Sequence, residues 1–285
     1  MKYKHIICSG DSYTAGHELA ADQLIPEYFD YAVPAYICHE IDNGKNHDVY
    51  SDLLKSHDEL KRRLVDLERA QDKEASTSYW NISKQRAWPG KLQSLTGVAV
   101  SNVGNYGISN HEIAYRLLET ATQSLNKHSP SDIICFMMLS NPLRFGTPQH
   151  GPIHGGEYDY QSFAPWFNFV PEKMEPWARR IIEDYNDYDY LHESYIHVLA
   201  VKSHLTKLGI NTIILDSGLW EKFGRDYSHP TKQNRFKLFS EILEIQLDPL
   251  TTVGFEKGFK KLPGGHMEES LHELYAEMIV ETFLK

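Results

Sequence analysis

The strongest constraint on the fold is a set of four short apolar runs, separated by longer polar and helical patterns. The runs are His5–Ser9, Val98–Asn102, Asp132–Leu139 and Asn211–Asp216. Each has the length of a strand, and the near-continuous apolar character is typical of parallel strands that are covered on both faces. Strands that alternate with helices predict an open parallel sheet between two helical layers.

The helical patterns between the runs have recognisable ends. A capping-box spacing begins at Ser109 and predicts a helix there, while Gly209 is a natural C-terminal stop for a helix over 190–208. A last amphipathic helix is predicted over 268–284. Residues 242–247 could form a fifth strand or continue a helix. We therefore expect an α/β fold, a three-layer α/β/α flavodoxin-like sandwich with a parallel sheet of about five strands.

Two segments interrupt the alternation. We expect one domain over residues 1–285, with insertions at about 22–86 and 145–190 that form a lid or cap over the site. The first insertion contains a charged helical pattern with a narrow leucine stripe: Leu53, Leu60, Leu64 and Leu67. Because the stripe is too short for a stable coiled coil, we expect that helix to pack on its own domain.

Charge, apolar runs and cysteine content restrict the partners and the compartment that we expect for this protein. The formal net charge of −10 argues against nucleic acid or an anionic membrane surface, which require a basic footprint. No apolar run has the length of a membrane span. Cys8, Cys38 and Cys135 make no paired disulfide framework. The first apolar run is too short for a signal peptide and ends at Asp11, so we expect a cytoplasmic protein.

Polar groups follow the predicted strands at the points where sites form in open α/β sheets. Ser12 follows the first run, Gly107 the second and Asn141 the third, and His266 precedes the last helix. A serine hydroxyl becomes a nucleophile when a base such as histidine accepts its proton. Backbone N–H groups near Ser12 and Gly107, with the carboxamide of Asn141, could stabilise a developing oxyanion.

In these segments the sequence resembles the SGNH or GDSL hydrolase family. "GDSYTAG" is similar to the family's GDSxTxG motif, and Asn102 and Gly107 are in register with its Asn-x-x-x-x-Gly turn. Trp88-Pro89 stands before the second run, where many members carry a similar pair. The resemblance covers most of the chain outside the insertions, and it implies a serine hydrolase with Ser12 as nucleophile.

The last two motifs match less completely. Asn141 is kept, but Leu139 and Pro142 replace the Gly and Asp of the family's Gly-x-Asn-Asp. His266 is kept, with His272 and Ala276 where the family often has His and Ala.

The family's usual aspartate lies three residues before its histidine, and Pro263 stands there in this chain. That carboxylate would fix the imidazole tautomer and stabilise the imidazolium. The third catalytic group is therefore missing, supplied from elsewhere or replaced by a backbone carbonyl.

A second segment matches the family's Asp-x-x-His-Pro literally, in Asp226-x-x-His229-Pro230. We favour His266 as the base because it precedes the last helix, and keep His229, oriented by Asp226, as the alternative.

No cofactor is expected. His150, His154 and Glu157 lie in a Gly/Pro-rich loop with generic spacing, which favours a polar lid over a zinc site. Neither a Walker-type nor a Rossmann phosphate loop is present.

The expected function is hydrolysis of a carboxylic ester through an acyl-enzyme on Ser12. The expected substrate is a small-molecule or carbohydrate ester, for example an O-acetyl group on a sugar. The alternatives are a catalytically silent binding or structural protein with the same fold, and an acyltransferase that uses an alcohol in place of water.

Overall fold

The centre of the molecule is a parallel sheet whose strands follow the four apolar runs. The computed structural model describes residues 2–42, 50–141, 145–149, 159–163, 187–218, 237, 239, 241–245 and 247–285. The strands, in chain order, are β1 (His5–Ser9), β2 (Val33–Pro34), β3 (Ala99–Asn102), β4 (Ile133–Leu139), β5 (Phe145–Gln149), β6 (Asp159–Phe163), β7 (Asn211–Asp216) and β8 (Lys260–Lys261). The main sheet has the order β3-β1-β4-β7, and each adjacent pair is parallel.

Helices connect these strands and cover both faces of the sheet. In chain order they are α1 (Ser12–Ala15), α2 (Ala35–Asp42), α3 (Ser51–Ala70), α4 (Lys73–Arg86), α5 (Trp88–Thr96), α6 (Asn110–Ser124), α7 (Asp187–Lys207), α8 (Leu250–Glu256) and α9 (Glu269–Ile279). Short 3-10 turns cover Ala21–Gln23, Tyr28–Tyr31 and Pro130–Asp132, and a π-helical turn covers Val280–Leu284.

The two faces of the sheet form separate apolar cores. On β1, Ile7 packs with α6 and α7, whereas Ile6 and Cys8 pack with α5 and α9. Successive residues of β4 alternate between the same two cores in the same way, because strand side chains point to opposite faces with a period of two. This confirms the predicted three-layer α/β/α class.

The predicted fifth strand is not formed by the described residues of its segment. Glu241–Leu243 are helical, and Leu243 is fully buried beside α7 while Ile242 is 42% exposed. One-sided burial suits a helix that packs on another helix, and a central parallel strand would be buried on both faces. In the part of the chain that is described, the parallel sheet therefore has four strands. β2 pairs with β8 and β5 with β6 as small antiparallel ribbons.

Helix α3, which carries the leucine stripe, packs against the segment that follows α1. Leu60 and Leu64 of α3 are buried against Leu19, Ile25 and Tyr28, and Leu67 is partly buried in the same cluster. This third core lies under the residues that follow α1. The insertion therefore contacts the segment next to Ser12, and its helices can affect the geometry there.

The strand register brings the carboxyl ends of the strands to one edge of the sheet. Cys8 pairs with Asn102, Ser9 with Met137, and Leu139 with Asp216. The segments after β1, β3 and β4 therefore leave the sheet side by side. None of the helices among the described residues is long and apolar enough to span a membrane.

Candidate active site

The turn after β1 places one hydroxyl at the edge of the sheet. Asp11 caps the single-turn helix α1 by accepting a hydrogen bond from the Tyr13 N–H at 3.2 Å, and Ser12 is the first residue of that helix. Gly10 is needed at the bend, because a Cβ there would lie 2.0 Å from Thr14 Oγ1. Ser12 is 6% exposed. A buried strand and a tight turn thus hold its oxygen rigidly.

His266 lies opposite this oxygen. Its Nε2 is 2.7 Å from Ser12 Oγ, although 254 positions separate the two residues in the chain. The imidazole is carried by the turn between β8 and α9, in which the Leu262 N–H donates to the His266 carbonyl at 2.7 Å. Tyr13 packs against the imidazole with ring centroids 5.1 Å apart. Nucleophile and base are therefore within hydrogen-bond reach.

The second ring nitrogen of His266 contacts a carboxylate that the sequence analysis did not select. His266 Nδ1 is 2.5 Å from Glu18 Oε2. A carboxylate can only accept, so Nδ1 carries the proton and Nε2 is left to accept from the Ser12 hydroxyl. Ser12, His266 and Glu18 thus form one continuous hydrogen-bonded chain, with the imidazole in the tautomer that a general base requires.

Glu18 is fully buried, and its oxygens accept several hydrogen bonds. Gly264 N–H donates to Oε1 at 2.6 Å, the His266 backbone N–H donates to Oε2 at 3.1 Å, and the Tyr28 hydroxyl also donates to Oε1. Burial alone would raise the pKa of Glu18, but the hydrogen bond and charge of His266, with smaller contributions from His17 and Tyr28, lower it to about 2. The carboxylate is therefore ionised near neutral pH.

The proline at the family's aspartate position is explained by this arrangement. Pro263 is buried in the turn before His266, and the carboxylate comes instead from Glu18, six residues after the nucleophile. Two features of the sequence were relevant. An acidic residue, Glu18, closely follows the "GDSYTAG" motif, and Pro263 is followed directly by Gly264 and Gly265. Local spacing gives no indication that these two turns meet, so the contact was missed.

The predicted oxyanion donors lie in the loops at the same edge. Gly107 is exposed after β3 with a φ of 74°, a conformation that favours glycine, and Asn141 is half-buried two residues after β4. Asn110 holds the end of β4, since its side chain accepts from Ser140 N–H at 2.8 Å and donates to the Ser140 carbonyl at 3.1 Å. Gly107 and Asn141 remain the candidates for binding an oxyanion.

Asn102, which is in register with the family's second motif, braces the nucleophile turn. Its Nδ2 donates to the Thr14 carbonyl at 2.8 Å, and its Oδ1 accepts from Gly104 N–H at 3.0 Å. A Cβ on Gly104 would lie 2.8 Å from Thr14 Cγ2, so the loop needs a glycine to approach α1 this closely.

His17, Glu18 and His266 have potential metal-ligand atoms within 4.8 Å of one another. Two ligands of a tetrahedral zinc ion with bonds of about 2.0–2.1 Å stand roughly 3.3 Å apart. His266 Nδ1 and Glu18 Oε2 are closer than that, at 2.5 Å. The spacing fits a shared proton better than a metal ion.

Several candidates from the sequence lie outside the described residues. These are Asp226 and His229 of the alternative base segment, and His150, His154 and Glu157 of the second insertion.

The chain matches no family model and no curated protein. Among solved structures it is similar to a member of the lipolytic protein G-D-S-L family from Veillonella parvula, with 14% identity and a TM-score of 0.43 over 99% of this chain and 98% of that one.

Proposed function

We propose that this protein hydrolyses carboxylic esters through a covalent acyl-enzyme on Ser12. The observation that supports this most directly is the chain of contacts from Ser12 Oγ through His266 to Glu18, at 2.7 Å and 2.5 Å. Such a chain activates a hydroxyl that would otherwise be a poor nucleophile.

In the first half of the reaction, Ser12 Oγ attacks the ester carbonyl carbon while His266 Nε2 accepts the hydroxyl proton. Glu18 stabilises the imidazolium that forms. We assign the oxyanion to the backbone N–H groups of Ser12 and Gly107 and the carboxamide of Asn141. Each well-placed donor of this kind typically contributes about 3 kcal/mol to transition-state stabilisation. His266 then protonates the leaving alcohol, and the C–O bond to it breaks.

In the second half, water attacks the acyl-Ser12 ester while His266 accepts a proton from it. Collapse of the second tetrahedral intermediate releases the acid and returns the proton to Ser12. The proposed substrate is a small acyl ester, such as an O-acetyl group on a carbohydrate.

A fluorophosphonate probe tests the nucleophile independently of the natural substrate. We expect wild-type protein to be labelled covalently and Ser12→Ala to be unlabelled, whereas Ser94→Ala, which changes an exposed serine on α5, should be labelled normally. Circular dichroism would establish that all three are folded. A folded wild-type protein that resists labelling would instead support the silent binding protein.

Two further questions are which histidine is the base and whether water or an alcohol accepts the acyl group. Both are tested with a short p-nitrophenyl ester and an acetylated sugar. His266→Ala should abolish hydrolysis and His229→Ala should retain it; loss in His229→Ala alone would overturn the assignment of the base. If an added alcohol lowers the release of free acid and a new ester forms in matching amount, the protein is an acyltransferase.

A further inference from the structure

A second imidazole lies beside the proposed catalytic group. The ring of His17 is edge-on to that of His266, with centroids 4.9 Å apart and an interplanar angle of 87°. The His17 ring is nearly parallel to the rings of Tyr106 and Trp80, with centroid distances of 5.3 Å and 5.9 Å. Rings from the loop after β3 and from α4 therefore fix the plane of His17.

The first insertion supplies a carboxylate to this ring. Glu68, near the end of α3, places Oε1 3.7 Å from His17 Nε2, and the two side chains are only 15% and 19% exposed. Glu18 directly follows His17 in the chain. A ring nitrogen of His17 also lies within 4.8 Å of a Glu18 carboxylate oxygen. The imidazole is therefore near two largely buried carboxylates, one that contacts His266 and one from α3.

We propose that His17 and Glu68 form a second imidazole–carboxylate pair, which keeps Glu18 ionised and thereby makes α3 a positioning element for catalysis. The inference rests on the proposed function, in which Glu18 is the partner of His266.

The physical reason is the cost of a buried charge. When His266 is neutral, in the resting state of a general base, it gives Glu18 a hydrogen bond but no counter-charge. A protonated His17 supplies that counter-charge, and Glu68 stabilises the protonated form. His17 therefore acts on the carboxylate rather than on the substrate.

The charged and titratable groups that face His17 support this arrangement. Burial opposes its charge, but the close carboxylate of Glu68 and the charge of Glu18 outweigh burial and the opposing charge of Lys61, so the pKa of His17 is raised. Within the part of the chain that the structure describes, the titratable rings of His266 and Tyr106 also pack against His17. The charge of His17 in turn helps to lower the pKa of Glu18.

The first test is an NMR titration of the histidine rings, which needs no turnover. Glu68→Gln should lower the pKa of His17, because the isosteric amide carries no charge. Glu59→Gln makes the same change at an exposed position of the same helix and should leave the His17 titration unchanged. An unchanged pKa of His17 in Glu68→Gln would overturn the pairing, whether or not the protein hydrolyses esters.

The second test is the pH dependence of kcat/KM for ester hydrolysis. Without the His17 cation Glu18 takes up a proton at higher pH, so ionised Glu18 is lost first at the acidic end of the profile. Glu68→Gln and His17→Gln should therefore lose a larger fraction of the wild-type activity at pH 5 than at pH 8, and Glu68→Asp should restore part of it. An equal loss at both pH values would indicate a packing role only, and contradict the proposal.

Discussion

Glu18 has an unusual backbone conformation for a residue of its type. Its φ of 71° lies in the left-handed region, which costs a non-glycine residue about 1–2 kcal/mol. The side chain is fully buried as well. Hydrogen bonds from Tyr28, Gly264 and His266 offset both costs. Strained backbone of this kind is concentrated at functional sites, where the surrounding contacts hold it in place.

At the residue scale, Glu18→Gln tests the third catalytic group. The glutamine amide can donate to His266 Nδ1, which would move the imidazole proton to Nε2 and prevent that atom from accepting the Ser12 proton. We expect kcat to fall by about 10³-fold or more, measured with a short acyl ester. Thermal unfolding would verify the fold, and a folded Glu18→Gln variant with wild-type kcat would exclude Glu18 from catalysis.

At the scale of elements, Glu18 and His266 are brought together by two chain segments that approach each other closely. The turn from Leu262 to His266 approaches the segment after α1 so closely that a Cβ on Gly264 would lie 2.2 Å from Glu18 Oε1. Only a residue without a side chain allows the Gly264 N–H to reach that oxygen. The same segment rests on α3 through the Leu60 and Leu64 cluster, so both sides of Glu18 are fixed by packed elements.

At the element scale, Gly264→Ala should displace Glu18 and lower kcat/KM by about tenfold or more, together with stability. Gly258→Ala is the matched control, since Gly258 has a φ of 74° and open space around its Cβ position. It should lose about 1 kcal/mol of stability through backbone strain and keep its activity. Equal activity in the two variants would show that the Gly264 contact does not position Glu18.

At the scale of the whole molecule, a buried histidine joins two helices of the layer that covers one face of the sheet. His272 of α9 accepts a hydrogen bond from the Trp88 N–H of α5 at 3.3 Å and is almost fully buried. Burial, followed by the positive charges of His266 and Lys91, lowers the pKa of His272 from 6.5 to about 3. The folded protein therefore keeps this ring neutral over a range in which the unfolded chain would protonate it.

At the molecular scale, acid should destabilise the protein before its carboxylates titrate. Between pH 6.5 and 3 the unfolded state binds a proton at His272 that the folded state does not, so His272 contributes a fall of about 1.4 kcal/mol in the free energy of unfolding for each pH unit of acidification. Below about pH 4.5 the depressed pKa of Glu18 adds a loss of the same sign. The measurement is urea unfolding from pH 7 to pH 4.

In that series His272→Gln should reduce the slope between pH 6.5 and 4.5, while its amide can still accept from Trp88. His204→Gln, at an exposed position of α7, should leave the slope unchanged. A slope in His272→Gln equal to that of wild type would assign the acid sensitivity to other groups.

Local patterns were sufficient to predict the layers of the fold. The apolar runs predicted β1, β3, β4 and β7 nearly to the residue. For β1 and β4 the reason is that strands buried on both faces have a continuous apolar character. The capping box at Ser109 marked the start of α6, where Ser109 Oγ accepts from Glu112 N–H at 3.3 Å. The fifth strand was wrong for the described residues, since a short apolar run does not distinguish a strand from a packed helix.

The alternating elements could be predicted from the amino-acid sequence alone. So could the placement of Ser12, Gly107 and Asn141 after strands that end at a common edge. These are properties of short segments, set by hydrophobic period and turn chemistry. The contacts of Glu18 with His266 and of Glu68 with His17 arise from tertiary packing. Those contacts join residues 248 and 51 positions apart, and the packing of distant turns and helices brings them together, which no local pattern encodes.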